Sequence, residues 1–108
     1  MLIFRGGSDA MNMSPEESQQ HMQKWFEWVT ELQGKGIYTA GEALLPTGKT
    51  VGQGNVVTDG PFAESKEMVG GYFIVQSENI ESAIEIAKSC PDLPLGGTVE
   101  VRDVAVFE

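Results

Sequence analysis

The side chains of this sequence best suited to proton transfer are one histidine and one aspartate, far apart along the chain. His21 is the only histidine, and imidazole is the side chain that ordinarily gains and loses a proton near neutral pH. Asp59 opens the run Asp59-Gly60-Pro61-Phe62-Ala63-Glu64-Ser65-Lys66-Glu67. Asp-Gly-Pro is a turn sequence, so Asp59 is predicted either to form that turn or to serve as a site residue.

The side chains that follow this turn have two interpretations each. Phe62 is predicted either to fill the core or to form the apolar wall of a ligand pocket. Glu64, Lys66 and Glu67 either bind a polar ligand, form ion pairs between subunits or remain solvated. Exposed ion pairs contribute only about 0–1 kcal/mol, so the solvated interpretation is the default for these three.

Trp25 and Trp28 are three residues apart in a predicted helix. Both indoles cannot point to the centre of one core, so one is expected at an edge, where a tryptophan can line a pocket or a subunit contact. Trp25 is therefore a candidate ligand-binding residue. His21 lies one helical turn before it, and the structural alternative for His21 is a partly exposed residue at the helix edge, packed on Trp25.

Several other kinds of site have no support in the sequence. Cys90 is predicted at the C-terminus of a helix, where the helix dipole disfavours a thiolate, and a packing role is expected. Gly34-Lys35-Gly36 and Gly48-Lys49-Thr50 lack the upstream glycine of a phosphate-binding loop. A single histidine cannot supply a histidine-rich metal site. A magnesium site built from carboxylates alone stays open, but nothing in the sequence points to one; neither metal nor cofactor is expected.

Composition narrows the class of protein. A chain of 108 residues is predicted to be one domain, residues 1–108. Seven Lys+Arg against 16 Asp+Glu give a net charge of -9, which opposes binding to nucleic acid or to anionic membranes. The single cysteine excludes an internal disulfide. No stretch approaches the ~20 apolar residues of a membrane span, and a cytoplasmic location is expected.

The pattern of the chain predicts the element order β-α-β-β-β-α-β. Leu2-Ile3-Phe4 is predicted as a buried strand paired with the C-terminal strand. Ser14-Pro15-Glu16-Glu17 has the residues of a helix start. The remaining predicted elements are the helix to about Gln33, strands from Ile37 toward Leu45, from Thr50 to Thr58 and from Tyr72 to Gln76, a helix capped by Ser77 or Asn79, and a strand from about Thr98 to Phe107.

The predicted helices have apolar faces that define the fold class. The apolar face of the first helix consists of Met22, Trp25, Phe26, Val29 and Leu32. That of the second helix consists of Ile80, Ala83, Ile84 and Ala87. Two helices covering one face of an antiparallel sheet are the ferredoxin-like α+β arrangement. The other sheet face would be bare and should be buried against a partner.

The run from Asp59 to Glu67 resembles a family signature. It is similar to the DGPFAETKE motif of the DGPF branch of the YCII-related proteins, with Ser65 in place of the usual threonine. The resemblance extends over nearly the whole chain, through Ala40-Gly41-Glu42, Gly70-Gly71-Tyr72 and the closing strand from Gly97 to Arg102. It implies a dimeric α/β barrel, in which the sheets of two copies meet face to face.

The resemblance also implies two possible functions. YCII-related proteins are often proposed to use a His–Asp pair, for which His21 and Asp59 are the candidates by resemblance. That implies a cofactor-independent acid–base enzyme acting on a small organic molecule. The alternative is a non-catalytic accessory or ligand-sensing protein, because DGPF proteins are often associated with extracytoplasmic-function sigma factors.

Overall fold

The computed structural model describes residues 1–6, 13–45, 47–60 and 69–106. Within these ranges the chain forms helices and strands that alternate in the manner of an α+β domain. In chain order they are β1 (Leu2–Arg5), α1 (Pro15–Gly34), β2 (Tyr38–Ala43), β3 (Lys49–Val51), β4 (Val57–Asp59), β5 (Val69–Val75), α2 (Ile80–Ala87) and β6 (Thr98–Val101).

The main sheet has four strands in the order β2-β5-β1-β6, and each neighbouring pair is antiparallel. With α1 after β1 and α2 after β5, this is the ferredoxin-like arrangement, and the predicted fold class is confirmed. β1 pairs with β6 as predicted, with Leu2 opposite Val101 and Phe4 opposite Val99. β5 is an interior strand, as its nearly continuous apolar sequence indicated.

The strand predicted from Thr50 to Thr58 is instead a hairpin of β3 and β4, which forms a separate two-stranded sheet. The chain reverses in a 3-10 turn over Gln53–Asn55. Gly54 and Asn55 both have positive φ there, at 74° and 62°, a backbone region that glycine and asparagine tolerate best. The glycines that indicated a bend in one strand therefore belong to a full reversal.

The last strand is also shorter than predicted. β6 ends at Val101, and the backbones of Arg102 and Met1 exchange hydrogen bonds just beyond it, at 2.9 Å and 2.6 Å. The valines at 104 and 106 stand outside the sheet, with 50% and 78% of their surface exposed. Phe107 lies outside the described residues.

The start of α1 follows the predicted capping pattern. Ser14 is the N-cap, its hydroxyl oxygen accepts the Glu17 amide proton at 3.1 Å, and Pro15 is the first helical residue. The predicted apolar stripe is partly wrong. Trp28 and Leu32 are buried, whereas Met22 and Phe26 are 58% and 62% exposed, because the helix turns a face rotated from the predicted one toward the sheet.

The second helix is capped by Asn79, whose side chain accepts the Ser82 amide proton at 2.9 Å. Ala83 and Ala87 are buried as predicted, but Ile80 and Ile84 are more than one-third exposed. Ile86 packs against the core instead.

The register of the main sheet separates a covered face from an open one. Directly paired residues share a face, and the buried Leu2, Phe4 and Phe73 lie under the helices. Alternation therefore places Ile3 and its partners Tyr72 and Glu100 on the opposite face.

Candidate functional site

His21 lies in the second turn of α1 and faces the loop that follows α2. Its side chain is 16% exposed, and that of Asp92 in this loop is 20% exposed. The His21 ring nitrogen Nε2 is in hydrogen-bonding contact with the Asp92 oxygen Oδ1. The structure thus pairs the histidine with a carboxylate 71 positions along the chain.

Trp25 is the third member of this group, one helical turn after His21. Its indole nitrogen Nε1 lies 3.2 Å from Asp92 Oδ1 and 3.2 Å from His21 Nε2. The indole nitrogen only donates and an ionised carboxylate only accepts, so Trp25 donates to Asp92. Its proximity to the histidine follows because both side chains converge on the same oxygen.

This convergence determines the proton arrangement on the imidazole. An unprotonated Nε2 would direct its lone pair at the carboxylate, which repels it, so Nε2 carries a proton and donates it to Asp92. The other ring nitrogen, Nδ1, has no hydrogen-bond partner among residues 1–6, 13–45, 47–60 and 69–106. Nδ1 is therefore the atom through which His21 can exchange a proton.

The backbone around Asp92 fixes its position. Its carbonyl oxygen accepts the amide protons of Leu95 and Gly97, both at 3.0 Å. A side chain at Gly97 would place its Cβ 2.9 Å from the Asp92 Cβ and 3.0 Å from the Asp92 carbonyl oxygen. The close approach that holds the carboxylate toward α1 therefore depends on glycine at position 97.

A cavity of about 500 Å³ opens beside the pair, between α1 and the covered face of the sheet. Its lining is mainly apolar, with His21 and Asp92 at one wall. The large apolar side chains that line it are Phe4, Met13, Met22, Trp25, Phe26, Val29 and Phe73. A small-molecule site typically has this character, with apolar walls and a few polar groups that orient the ligand.

The floor of the cavity is a cluster of aromatic rings. Phe4 packs edge-to-face on Trp25 and on Phe73, with ring centroids 5.0 Å and 4.8 Å apart. Trp25 also packs edge-to-face on Phe73 at 5.7 Å. Such contacts fix ring orientations, so the indole that holds Asp92 is itself held by the core.

A smaller concavity of about 220 Å³ lies on the other side of His21. Glu17, Gln20 and Lys24 of α1 line it together with Pro91 and Pro94 of the loop. The imidazole thus forms part of the wall between two concave surfaces.

Asp59 lies elsewhere in the fold. It ends β4 in the hairpin, its side chain is 91% exposed, and it forms an ion pair with Lys49 of β3. Gly60 takes φ 84° in the turn that follows. The structure therefore gives His21 and Asp59 different partners within the chain.

The other predicted site residues divide in two groups. Trp25 lines the cavity, as expected of a tryptophan at an edge, while Trp28 is buried. Phe62, Glu64 and Lys66 lie outside the described residues. The roles predicted for these three, and those predicted for Asp59, His21 and Trp25, stay predictions.

Sequence reasoning missed Asp92, the residue that the structure adds to the site. The available signal was a lone acidic residue within Cys90-Pro91-Asp92-Leu93-Pro94-Leu95. Prolines on either side restrict the backbone, and an aspartate in such an apolar loop needs a partner for its carboxylate.

Neither a metal centre nor a membrane span is found in the described part of the chain. No group of three or more histidine, cysteine, aspartate or glutamate side chains is placed to hold a metal ion there. Among these same residues, no helix has the length and apolar character to cross a bilayer.

Comparison with known proteins identifies the family. The family model of the YCII-related domain matches residues 1–108. The chain belongs to the YCII-related family. An uncharacterised protein of Rhizobium meliloti (strain 1021) is 33% identical over 54 residues, which are 49% of this chain and 44% of that protein. The match thus spans less than half of that relative, and this YCII-related chain takes no activity from it.

Proposed function

We propose that this YCII-related protein is a cofactor-independent enzyme that transfers protons on a small organic molecule bound between α1 and the sheet. The observation that carries the proposal is the hydrogen bond between His21 and Asp92 at the wall of the apolar cavity. Imidazole oriented by a carboxylate is a common general base. The proposal keeps the predicted chemistry and assigns the carboxylate role to Asp92.

Each member of the group has a distinct task in this reaction. Nδ1 of His21 accepts a proton from the bound molecule, and the ring becomes an imidazolium. Asp92 stabilises that positive charge through the Nε2 proton. Trp25 is a positioning residue, because its indole N–H holds the carboxylate oxygen in place. Proton transfer by a positioned side chain of this kind contributes about 10²–10⁴-fold to a rate.

The test compares carboxylates at two positions. Deuterium exchange at carbons next to a carbonyl would be followed by NMR for a panel of cyclic ketones and lactones in D₂O. For a compound that the wild-type protein accelerates, we expect His21→Gln and Asp92→Asn to lower the rate by about 10²–10⁴-fold. Asp59→Asn is the matched control and should retain the rate.

Loss of activity in Asp59→Asn with full activity in Asp92→Asn would overturn the assignment of Asp92. A substrate-free measurement supports the same test. We expect the Nε2 proton of ¹⁵N-labelled His21 to be visible by NMR in wild-type protein and lost or shifted in Asp92→Asn.

We also propose the finer features that the sequence implies. They are membership of the DGPF branch, supported by the Asp59–Glu67 motif, a cytoplasmic location, and a homodimer built on the open face of the sheet. If ligands bind but no proton transfer is found, the non-catalytic ligand-sensing alternative, with its association with a sigma factor, becomes the better proposal.

A further inference from the structure

The cavity beside His21 has aromatic walls. Phe4, Trp25 and Phe73 line it and meet edge-to-face. Phe26 and Met22 stand at the opening, both more than half exposed. A flat apolar molecule would cover these exposed side chains as well as the aromatic rings. Its binding is favourable because apolar surface of both the ligand and the protein is removed from water.

The size of the cavity sets the size of the ligand. An apolar cavity of ~150 Å³ is enough to hold benzene. The volume of about 500 Å³ here accommodates a two-ring compound with a substituent. It lies within the ~300–1,000 Å³ range of small-molecule sites.

The charges around the cavity disfavour an anionic ligand. No lysine or arginine is among the described residues that line it. Arg5, next to the lining residue Phe4, points to the open face and pairs with Glu100 at 2.8 Å. Lys24 lines the smaller concavity instead. A buried anion would therefore lack a counter-charge in the described chain and would approach Asp92, both of which are unfavourable.

Glu42 is an acidic residue in the lining, but its carboxylate does not face the cavity. It pairs with Tyr72, so its side chain belongs to the row on the open face of the sheet. With the imidazole neutral, the remaining charge is that of Asp92, whose Oδ1 already accepts hydrogen bonds from His21 and Trp25. A cationic ligand would exchange its hydration for a carboxylate that is already partly satisfied, so it gains less than the neutral ligand.

The ligand group that lies beside His21 and Asp92 should be a hydrogen-bond donor. Asp92 Oδ1 already accepts from His21 and Trp25. The neutral imidazole has a lone pair on Nδ1, which accepts a hydrogen bond but cannot donate one. The complementary ligand group is a hydroxyl or an acidic C–H or N–H.

We propose that the cavity takes an uncharged ring compound, aromatic or of similar size, that presents one hydrogen-bond donor or acidic proton to His21. The proposal names the substrate class of the proposed enzyme and rests on that function. It differs from the function in its test, because ligand binding needs no turnover.

The experiment uses three probes with the same ring and different charge. Naphthalene carrying a hydroxymethyl, carboxylate or aminomethyl group at position 2 would be titrated into the whole chain at pH 7.5 by calorimetry. We expect the neutral alcohol to bind at least tenfold more tightly than the carboxylate anion, and more tightly than the ammonium cation. Tightest binding of either charged probe, or no binding of the alcohol, would overturn the proposal.

Two substitutions locate the bound ring. Phe26→Ala removes an exposed side chain at the opening and should weaken binding of the alcohol several-fold without unfolding the protein. Val57→Ala is the control, since Val57 is exposed to a similar extent, 58% against 62% for Phe26, but lies in the hairpin and does not line the cavity. Equal affinities for both variants would contradict the assigned site.

The outcomes separate this inference from the proposed function. Binding of the alcohol without His21-dependent deuterium exchange would support the ligand class and reject the enzyme. Deuterium exchange on an anionic compound that depends on His21 and Asp92 would support the enzyme and reject the ligand class.

Discussion

Burial holds the Cys90 thiol in its protonated form. The side chain is only 3% exposed. Loss of solvation is the largest cause that raises the pKa of Cys90 from 9.0 to about 11, and the nearby Asp92 carboxylate raises it further. Only the thiolate reacts with disulfide reagents. We expect Cys90 at pH 8 to react about a hundredfold more slowly with dithiobisnitrobenzoate in the folded protein than in guanidinium.

The raised pKa of Cys90 also predicts how stability depends on pH. The unfolded chain loses the thiol proton near pH 9 and the folded chain only near pH 11. Its contribution to the free energy of unfolding is therefore complete below pH 9 and declines between pH 9 and pH 11, by up to ~3 kcal/mol. Denaturant unfolding of wild type and Cys90→Ala checks this, and equal slopes in that pH window would contradict it.

Residue types singled out His21 as the candidate for proton transfer but did not reveal which carboxylate lies beside it. His21 and Trp25, one helical turn apart on α1, were both candidates from the sequence, and both line the cavity. The carboxylate partner was assigned by resemblance to Asp59, whereas the structure places Asp92 against His21. The approach of a loop to a helix far away in sequence depends on packing, and no local pattern in one chain records it.

The loop between α2 and β6 holds Asp92 only if position 97 has no side chain. We predict that Gly97→Ala lowers the free energy of unfolding by about 1–3 kcal/mol, because backbone atoms of Asp92 and Arg5 must move to admit the new methyl group. Displacement of Asp92 should also weaken its hydrogen bond with His21. Denaturant unfolding measures the first effect, and the ¹⁵N signal of His21 reports the second.

Gly34→Ala is the control for this substitution. Gly34 ends α1, and a Cβ there would meet nothing within 4 Å. Alanine should therefore be neutral or stabilise the protein by ~0.4–1 kcal/mol. If the two alanine variants were equally stable, the close packing of Gly97 would not be what holds the loop.

Elements with local signals were predicted well, and elements defined by tertiary pairing were not. Caps at Ser14 and Asn79 are local hydrogen bonds, and the sequence placed both helices correctly. The hairpin of β3 and β4 was mistaken for one strand because glycine in a strand and glycine in a turn look alike in sequence. The length of β6 is set by its pairing with β1. The sequence of β6 alone does not encode where that pairing ends.

The whole molecule is thin and carries an open sheet face. Its Cα atoms extend 46 × 45 × 18 Å, and the radius of gyration is 15.4 Å, against ~13 Å for a compact domain of about this size. The short dimension fits one helix layer on one sheet layer. One row of paired residues crosses the open face through all four strands of the main sheet: Glu42, Tyr72, Ile3 and Glu100.

This open face is where we expect a second copy to bind, and Ile3 near its centre offers the sharpest test. Ile3→Glu would place another carboxylate in a row that already has one at each end, and a face-to-face dimer would bring the carboxylates of both copies together in a desolvated contact. We predict that wild-type protein sediments as a dimer at micromolar concentration and that Ile3→Glu sediments as a monomer.

Gln23→Glu is the charge-matched control for this prediction. Gln23 is exposed on α1, on the opposite side of the molecule, so this variant should remain dimeric. Circular dichroism would establish that both variants keep the fold. A monomeric wild type would leave the sheet face open in solution, and a dimeric Ile3→Glu would place the subunit contact elsewhere, with the exposed valines of the hairpin as the next surface to test.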